Sequence, residues 1–543
     1  MTDQQEDDKV NESAGDQPSK RLDLTRLILK WIGLILLAFV LILALVFQAP
    51  WKVTGLLIIV LLAFTVIPES HLKWFLLSFI AVLIALIIWV FLPDGNDLWL
   101  PYTFDEEIAD HEAKFTIPDE ENAAVIYNQL LQDYDHSQWR ISFMRREEFY
   151  QTSSEPWLSR DHPKLVQWIG KHEKALMALP EVCRMKTCRF PSNFEISPTN
   201  KLQTNRYFAL KSWALILLFS GNNDTAKGDL NDAFSKYIYA LQIKEHLYQQ
   251  KRINDLLIGF GIEDLALRPL NRFVIENGLN EKQLQLVLDV LGNLENNWSS
   301  DFSQCLEYEK LFIKNAFGSL VYQTNTKGVV RFSRDPAAAI WGHRRRRALA
   351  ETYWEKKSMK TYTILGWFFF PANPQKAAEM IDSIFEQHSP MASPDFDWHE
   401  ENIGPSPIPA LKLNCHSLVD FLTNKSTRLY GRFHDVYLKR LAQRRALRLL
   451  IAIKQYNVEN GCWPKDLDAI NSFVPPEAFI DPVNNSSFVY KPGDDSFVFY
   501  SKGKNNIDED GKRDRWDEEK TGADDWLIWP SRSRKTKDQE TDV

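Results

Sequence analysis

The sequence predicts a multi-domain chain: transmembrane helices first, then a mainly α region, then a small α+β module in which a long helix lies on a small antiparallel sheet. Three observations predict it. Apolar runs cover Trp31 to Phe47, Val53 to Ile67 and Trp74 to Leu92. From about Asp105 to Lys425 the apolar residues recur at the 3.6-residue period of helices, with few alternating stretches. After Gly431 an arginine-rich amphipathic helix leads into two short alternating runs, "SSFVYKPGDDSFVFYS".

The 543 residues are 45% hydrophobic and 25% charged, the composition of a folded protein with room for two or three domains. A formal net charge of -8 argues against nucleic acid as a partner. Five cysteines form no disulfide framework and no zinc pattern. Cys183 and Cys188 lie close together in "VCRMKTC", either as a local disulfide or as unrelated thiols.

Residues 1 to 19 are polar and acidic and read as a disordered tail. The first and third apolar runs approach the ~20 residues needed to cross a hydrocarbon core, and the second is extended by Trp51 and Lys52. Lys20, Arg21, Arg26 and Lys30 precede the first run, whereas no Lys or Arg follows the third until Lys114. The positive-inside rule then puts the amino terminus in the cytoplasm and the bulk of the chain in the periplasm of a bacterium, anchored in the lipid bilayer of the inner membrane. A re-entrant second run would reverse this. The expected divisions are a tail over 1–23, a three-helix anchor over 24–93, a helical domain over 94–425, a module over 426–531 and a tail over 532–543.

Within the helical region, "NRYFALKSWALILLFSG" is expected to stop at Gly221, and "GDLNDAFSKYIYALQIKEHLYQQ" to start a second helix. The pair, with Gly228, Ala233 and Ala240, looks like one tetratricopeptide-type (TPR-like) unit. No 34-residue recurrence follows, so a helical bundle is expected rather than an array. Further helices are expected at 253–276, 280–296, 303–322 and 336–357, and in "NPQKAAEMIDSIFEQ".

The module starts with a helix whose Leu438, Leu441, Leu447, Leu450, Ile451 and Ile453 alternate with Lys439, Arg440, Arg444, Arg445 and Arg448. One helix on a small sheet is a marginal core, so another source of stability is expected. "YSKGKNNIDEDGKRDRWDEEKTGADDWLIWP" then crowds nine carboxylates and six Lys or Arg into one loop. It reads either as a cation site or as a solvated loop offset by its own basic residues.

"ALRLLIAIKQYNVENGCWPKDLDAI" resembles the A-L-x-x-Y-x-x-x-x-G-x-Y-P-x-x-L-x-x-L signature of the globular part of type II secretion major (G-type) pseudopilins, through Leu447, Ile451, Tyr456, Gly461, Trp463, Pro464, Leu467 and Ile470. "IDPVNNSSFVY" is similar to their D-P segment through Asp481, Pro482, Phe488 and Tyr490, "FVFYSKGKNN" to their Y-S-x-G-x-D-G, and "DDWLIW" to their closing D-I-x-x-W. These four motifs span less than a fifth of the chain. The family's polymerising leader, with its G-F-T-L-x-E stretch, does not occur here. The whole chain also resembles uncharacterised bacterial membrane-anchored proteins that carry a "CRFP"-like segment (Cys188 to Pro191) before such an ending.

The pseudopilin resemblance implies structural calcium in the last loop. Carried across, the ligand sources are Ser501, Asn505 and Asp525, with a main-chain carbonyl near Lys502. Asn505 stands where the family has Asp. "NIDEDG" adds Asp508 and Asp510. Calcium takes six to eight oxygens from carboxylates, amides and carbonyls, and its binding adds to folding free energy.

Other chemistry is sparse. "IWGHRRRRALAE" reads as a solvated helix start or an anion patch, and "DFDWHEEN" lacks the H-E-x-x-H spacing of a zinc site. No G-x-S-x-G elbow, Walker loop or Rossmann fingerprint occurs. The expected function is a non-catalytic, membrane-anchored interaction or scaffold protein that meets a protein partner. A membrane-anchored hydrolase and an accessory component of a secretion system are the alternatives.

Overall fold

A computed structural model describes residues 98–191, 201–292, 295–332, 373–396, 398, 415–512 and 522–530, besides Trp31 and Ile58. The chain falls into two compact units. The fold class expected from the sequence needs correction. The described chain is mostly helical with small sheets, and among the described residues no helix is long and apolar enough to cross a membrane. Several helices have the length, but polar and charged residues break their apolar stretches well short of the ~20 residues a bilayer demands. The three runs read as an anchor over 24–93 lie outside the described residues, apart from Trp31 and Ile58.

The smaller unit contains a three-stranded antiparallel sheet of β1 (Trp99–Pro101), β2 (Tyr322–Asn325) and β3 (Val330–Phe332), with Trp99 opposite Asn325 and Tyr322 opposite Phe332. Asn325 shapes the β2–β3 turn by accepting from the amides of Lys327 and Val329 through its side chain.

The larger unit starts with short helices: α1 (Asp105–Ala113), α2 (Ala123–Gln132), α3 (His136–Trp139), α4 (Arg146–Ser154), α5 (Pro163–Lys171) and α6 (Glu173–Arg184). Asn122 and Asp135 cap α2 and α3 by accepting from backbone amides two residues on. Longer helices follow: α7 (Lys201–Lys227), α8 (Leu230–Tyr248), α9 (Ile253–Asn277), α10 (Glu281–Leu291) and α11 (Trp298–Val321), the last of which runs into the smaller unit.

The helix expected to stop at Gly221 runs on to Lys227 and ends at Gly228, whose φ of +87° suits glycine. Gly221 serves packing instead, because a Cβ there would lie 2.8 Å from Tyr237 on α8. The second helix expected there is α8, which starts at Leu230. The expected helix at 280–296 ends at Leu291, where Gly292 takes a φ of +64°, and its start carries an Asn280–Gln283 capping box. The "NPQKAAEMIDSIFEQ" helix is α12 (Pro374–His388). The helix expected at 336–357 lies outside the described residues.

The long helix α13 (Cys415–Asn460) starts before the expected Gly431 and leads to the module. There β4 (Ile480–Asp481) pairs with β5 (Ser486–Ser487), and β6 (Val489–Pro492), β7 (Phe497–Ser501) and β8 (Trp526–Trp529) form a second antiparallel sheet in that order. The Pro-Gly-Asp-Asp hairpin is β6–β7.

One buried cluster runs from Trp213, Tyr127 and Phe190 through Leu241 and Ile262 to Leu447, Ile453, Phe499 and Trp529. Helical region and module therefore share a continuous core, so the module's marginal size is offset by neighbours. Cys183 and Cys188 are buried free thiols, not a disulfide.

Candidate functional site

The loop between β7 and β8 starts at Ser501, which is fully buried. Its hydroxyl accepts from the Gly503 amide at 3.1 Å and hydrogen-bonds the carboxyl of Asp481. Asp481, also fully buried, accepts from the Val483 amide at 2.9 Å. Burial pushes its carboxyl pKa up, against these hydrogen bonds. Asn484 then donates to the Gly503 carbonyl at 2.8 Å. The "IDPVNN" turn thereby holds the start of the acidic loop.

Beyond Gly503 the loop folds around three carboxylates. Asp524 Oδ2 accepts from the Lys504 amide at 2.7 Å, and Asp525 Oδ2 from the Glu509 and Gly511 amides, both at 2.8 Å. Glu509 Oε1 accepts from Asn505 Nδ2 at 2.5 Å, and Oε2 from the Asp524 amide at 3.3 Å. The other oxygens, Oδ1 of Asp524 and Oδ1 of Asp525, are buried and accept from no donor among the described residues, and the Asp525 carboxyl meets that of Glu509. Asp525 is 1% exposed. Burial pushes its carboxyl pKa up, the two amides oppose that, and the Glu509 carboxylate beside it raises it further.

The residues expected as ligands are placed as follows. Ser501 faces Asp481, and the Lys502 side chain is half-buried. Asn505 is exposed and spends its carbonyl oxygen on the Ile507 amide at 2.8 Å and its amide group on Glu509 and the Gly522 carbonyl. Asp508 accepts from the Tyr500 hydroxyl and lies 3.4 Å from Lys491 Nζ. Asp510, at a φ of +58°, is bound by the same ammonium at 2.6 Å. Asp525 alone of the six carries an orphaned buried oxygen. Glu509 and Asp524 were missed by sequence reasoning. The signals were the adjacent Asp524-Asp525 pair and Gly503, whose place only glycine can take.

Two orphaned carboxylate oxygens next to a third carboxylate suit a hard cation, since unpaired buried anions cost several kcal/mol. Among the described residues no group of three or more His, Cys, Asp or Glu side chains is gathered closely enough to hold a metal by itself. An ion here would fill its shell from main-chain carbonyls and water.

Elsewhere, open clefts of about 840 Å³ (between α8, α9, α10 and the end of α13) and 560 Å³ (beside Asp466, Phe479 and Tyr490) carry no histidine or cysteine. Glu309, pushed up to about 7 by burial, and His246, brought down to about 4 by burial, line neither. Of "DFDWHEEN", Asp397, His399, Glu400 and Glu401 lie outside the described residues, as does "IWGHRRRRALAE". Compared with known proteins, the chain matches no family model, no curated protein and no solved structure.

Proposed function

We propose that this protein is a non-catalytic interaction or scaffold protein whose pseudopilin-like carboxyl-terminal module is locked by calcium, and that it works outside the cytoplasm. One observation carries the reading: among the described residues, Asp524 and Asp525 each keep a buried carboxylate oxygen that no donor reaches, with the Glu509 carboxylate beside them, in the loop that closes the last sheet. Calcium would relieve that cost through the free oxygens of Asp524 and Asp525, with main-chain carbonyls and water completing its shell. The ion would be structural, because among the described residues Asp524 and Asp525 are held by backbone amides and hydrogen-bond no histidine or cysteine. An extracytoplasmic place agrees with a site this lightly charged, since extracellular calcium modules work at 10⁻⁴–10⁻³ M.

The test is a thermal melt of the full-length protein in calcium and in EDTA. Binding to the folded state alone adds about 2.7 kcal/mol when free calcium stands at 100 times Kd. The expected result is a higher Tm in calcium than in EDTA, a difference lost in Asp525→Asn. Equal melts for the wild type would sink the reading.

A further inference from the structure

A cleft of about 240 Å³ is lined in part by Asp525. One wall is a single face of α9, where Asp264, Arg268 and Asn271 follow at i, i+4 and i+7. The floor is α13 at Gln443, and the opposite wall is β8 at Leu527 and Ile528.

β8 is the last strand of its sheet. Among the described residues its outer edge has no backbone partner, and such an edge is a template for another strand. Across the cleft, the Asn271 side chain makes no hydrogen bond among the described residues, and its Oδ1 is buried. An unpaired side-chain amide carries the donor and acceptor that one edge of an extended backbone requires. The dimensions agree. From Asp264 to Asn271 a helix rises about 10 Å, the reach of about three residues of strand.

Charge selects the occupant. The Asp264 carboxylate is already met twice, by Arg440 and by Arg268, each at 2.5 Å, and accepts from Gln443 at 3.1 Å. That group holds one net positive charge, with Arg268 38% exposed at the cleft.

We propose that this cleft binds an extended acidic segment of a partner protein, which adds to the free edge of β8 while Asn271 engages its other edge and Arg268 its carboxylate side chain. The proposal rests on the calcium reading in one respect: bound calcium neutralises Asp525 and adds to the positive balance that Arg268 and Lys439 already give the cleft over Asp264.

The probe is a fluorescein-labelled hexapeptide alternating Val and Glu, blocked at both ends, titrated by anisotropy into full-length protein in calcium. Its counterpart alternates Val and Lys. The acidic peptide is expected to bind saturably and the basic one not, with Arg268→Gln weakening binding about tenfold and Asn271→Ala about threefold. Isotope-edited infrared on the bound peptide should show its amide band at a β-strand position. Binding of both peptides alike, binding of neither at about millimolar concentration, or self-association of the protein through the same edge overturns the proposal. Melts of the same samples keep the two ideas apart: a calcium-dependent Tm without peptide binding sinks only the cleft, and peptide binding without a calcium-dependent Tm sinks only the ion.

Discussion

Gly503 lies directly under the Asp524 carboxylate: a Cβ added there would overlap Asp524 Oδ1 and come within 2.5 Å of the Asp524 carbonyl oxygen. Its φ of +65° adds a second reason for glycine. Gly503→Ala should therefore cost at least about 2 kcal/mol, from the left-handed backbone and the displaced carboxylate together. The same variant should lose the calcium-dependent part of its Tm. A variant that melts like the wild type in both calcium and EDTA would show that the Asp524 position is immaterial.

The long helix is tied to α9 by an ionic clasp. Arg444 Nε donates to the fully buried Glu263 at 2.6 Å, and four residues earlier on the helix Arg440 bonds Asp264. Burial alone would raise the Glu263 carboxyl pKa, yet Arg444 and Lys244 overcome it and bring it down to about 2. A carboxylate whose folded pKa is depressed stabilises the fold above its unfolded pKa of about 4.5 and loses that contribution as pH falls toward 2. The contribution is about 3 kcal/mol. Arg444→Met should cost about 3–5 kcal/mol at pH 7, because Glu263 is left buried with the Lys244 ammonium and the Tyr248 hydroxyl but without its guanidinium. Glu263→Gln with Arg444→Met should be far milder, and urea melts of the three variants at pH 7 and pH 3 would check both statements. Equal losses for the single and double variants would contradict the clasp.

How far the sequence carried the reading depends on the range of each signal. The β6–β7 hairpin and the long helix were legible because alternation, a Pro-Gly turn and a 3.6-residue period are local. The clasp was not. The arginines between the leucines of α13 look like a solvated margin until Glu263 and Asp264 arrive from far upstream. The candidate ion site was half legible. The acidic loop stood out, but which carboxylates keep an oxygen unpaired depends on Lys491 and Tyr500, which occupy Asp508 and Asp510, and on the fold of the loop. The anchor expected at the amino terminus has no counterpart among the described helices.

Gly221 shows the same limit and gives a prediction. A Ser-Gly pair after seven apolar residues reads as a helix stop, whereas here the glycine lets Tyr237 lie against α7, with that hydroxyl donating to Asn222 at 2.8 Å. In the middle of a helix Ala is favoured over Gly by about 1 kcal/mol, so Gly221→Ala would stabilise the protein if packing were indifferent. The Cβ would instead lie 2.8 Å from Tyr237 Cε1 and 3.2 Å from the Ala233 carbonyl oxygen, and overpacking of this kind costs about 1–3 kcal/mol. A net loss of stability is expected, with partial recovery in Gly221→Ala combined with Tyr237→Leu. A rise in Tm for the single variant would refute the packing role.

The cysteines separate by burial. Cys183 and Cys188 are buried, and burial pushes both thiols well up from the ordinary cysteine range, so little thiolate forms at neutral pH. Cys462 is exposed just past the end of α13. Brief iodoacetamide treatment of the native protein at pH 8, followed by peptide mass spectrometry, should label Cys462 readily and leave Cys183 and Cys188 unmodified. In denaturant all three should react alike, and the Cys183 and Cys188 peptides should gain the label without prior reduction, since the two are free thiols. If those peptides take up label only after a reductant, the pair is a disulfide in the protein as isolated. If they react in the native protein as fast as Cys462, this part of the core opens to solvent far more easily than its packing implies.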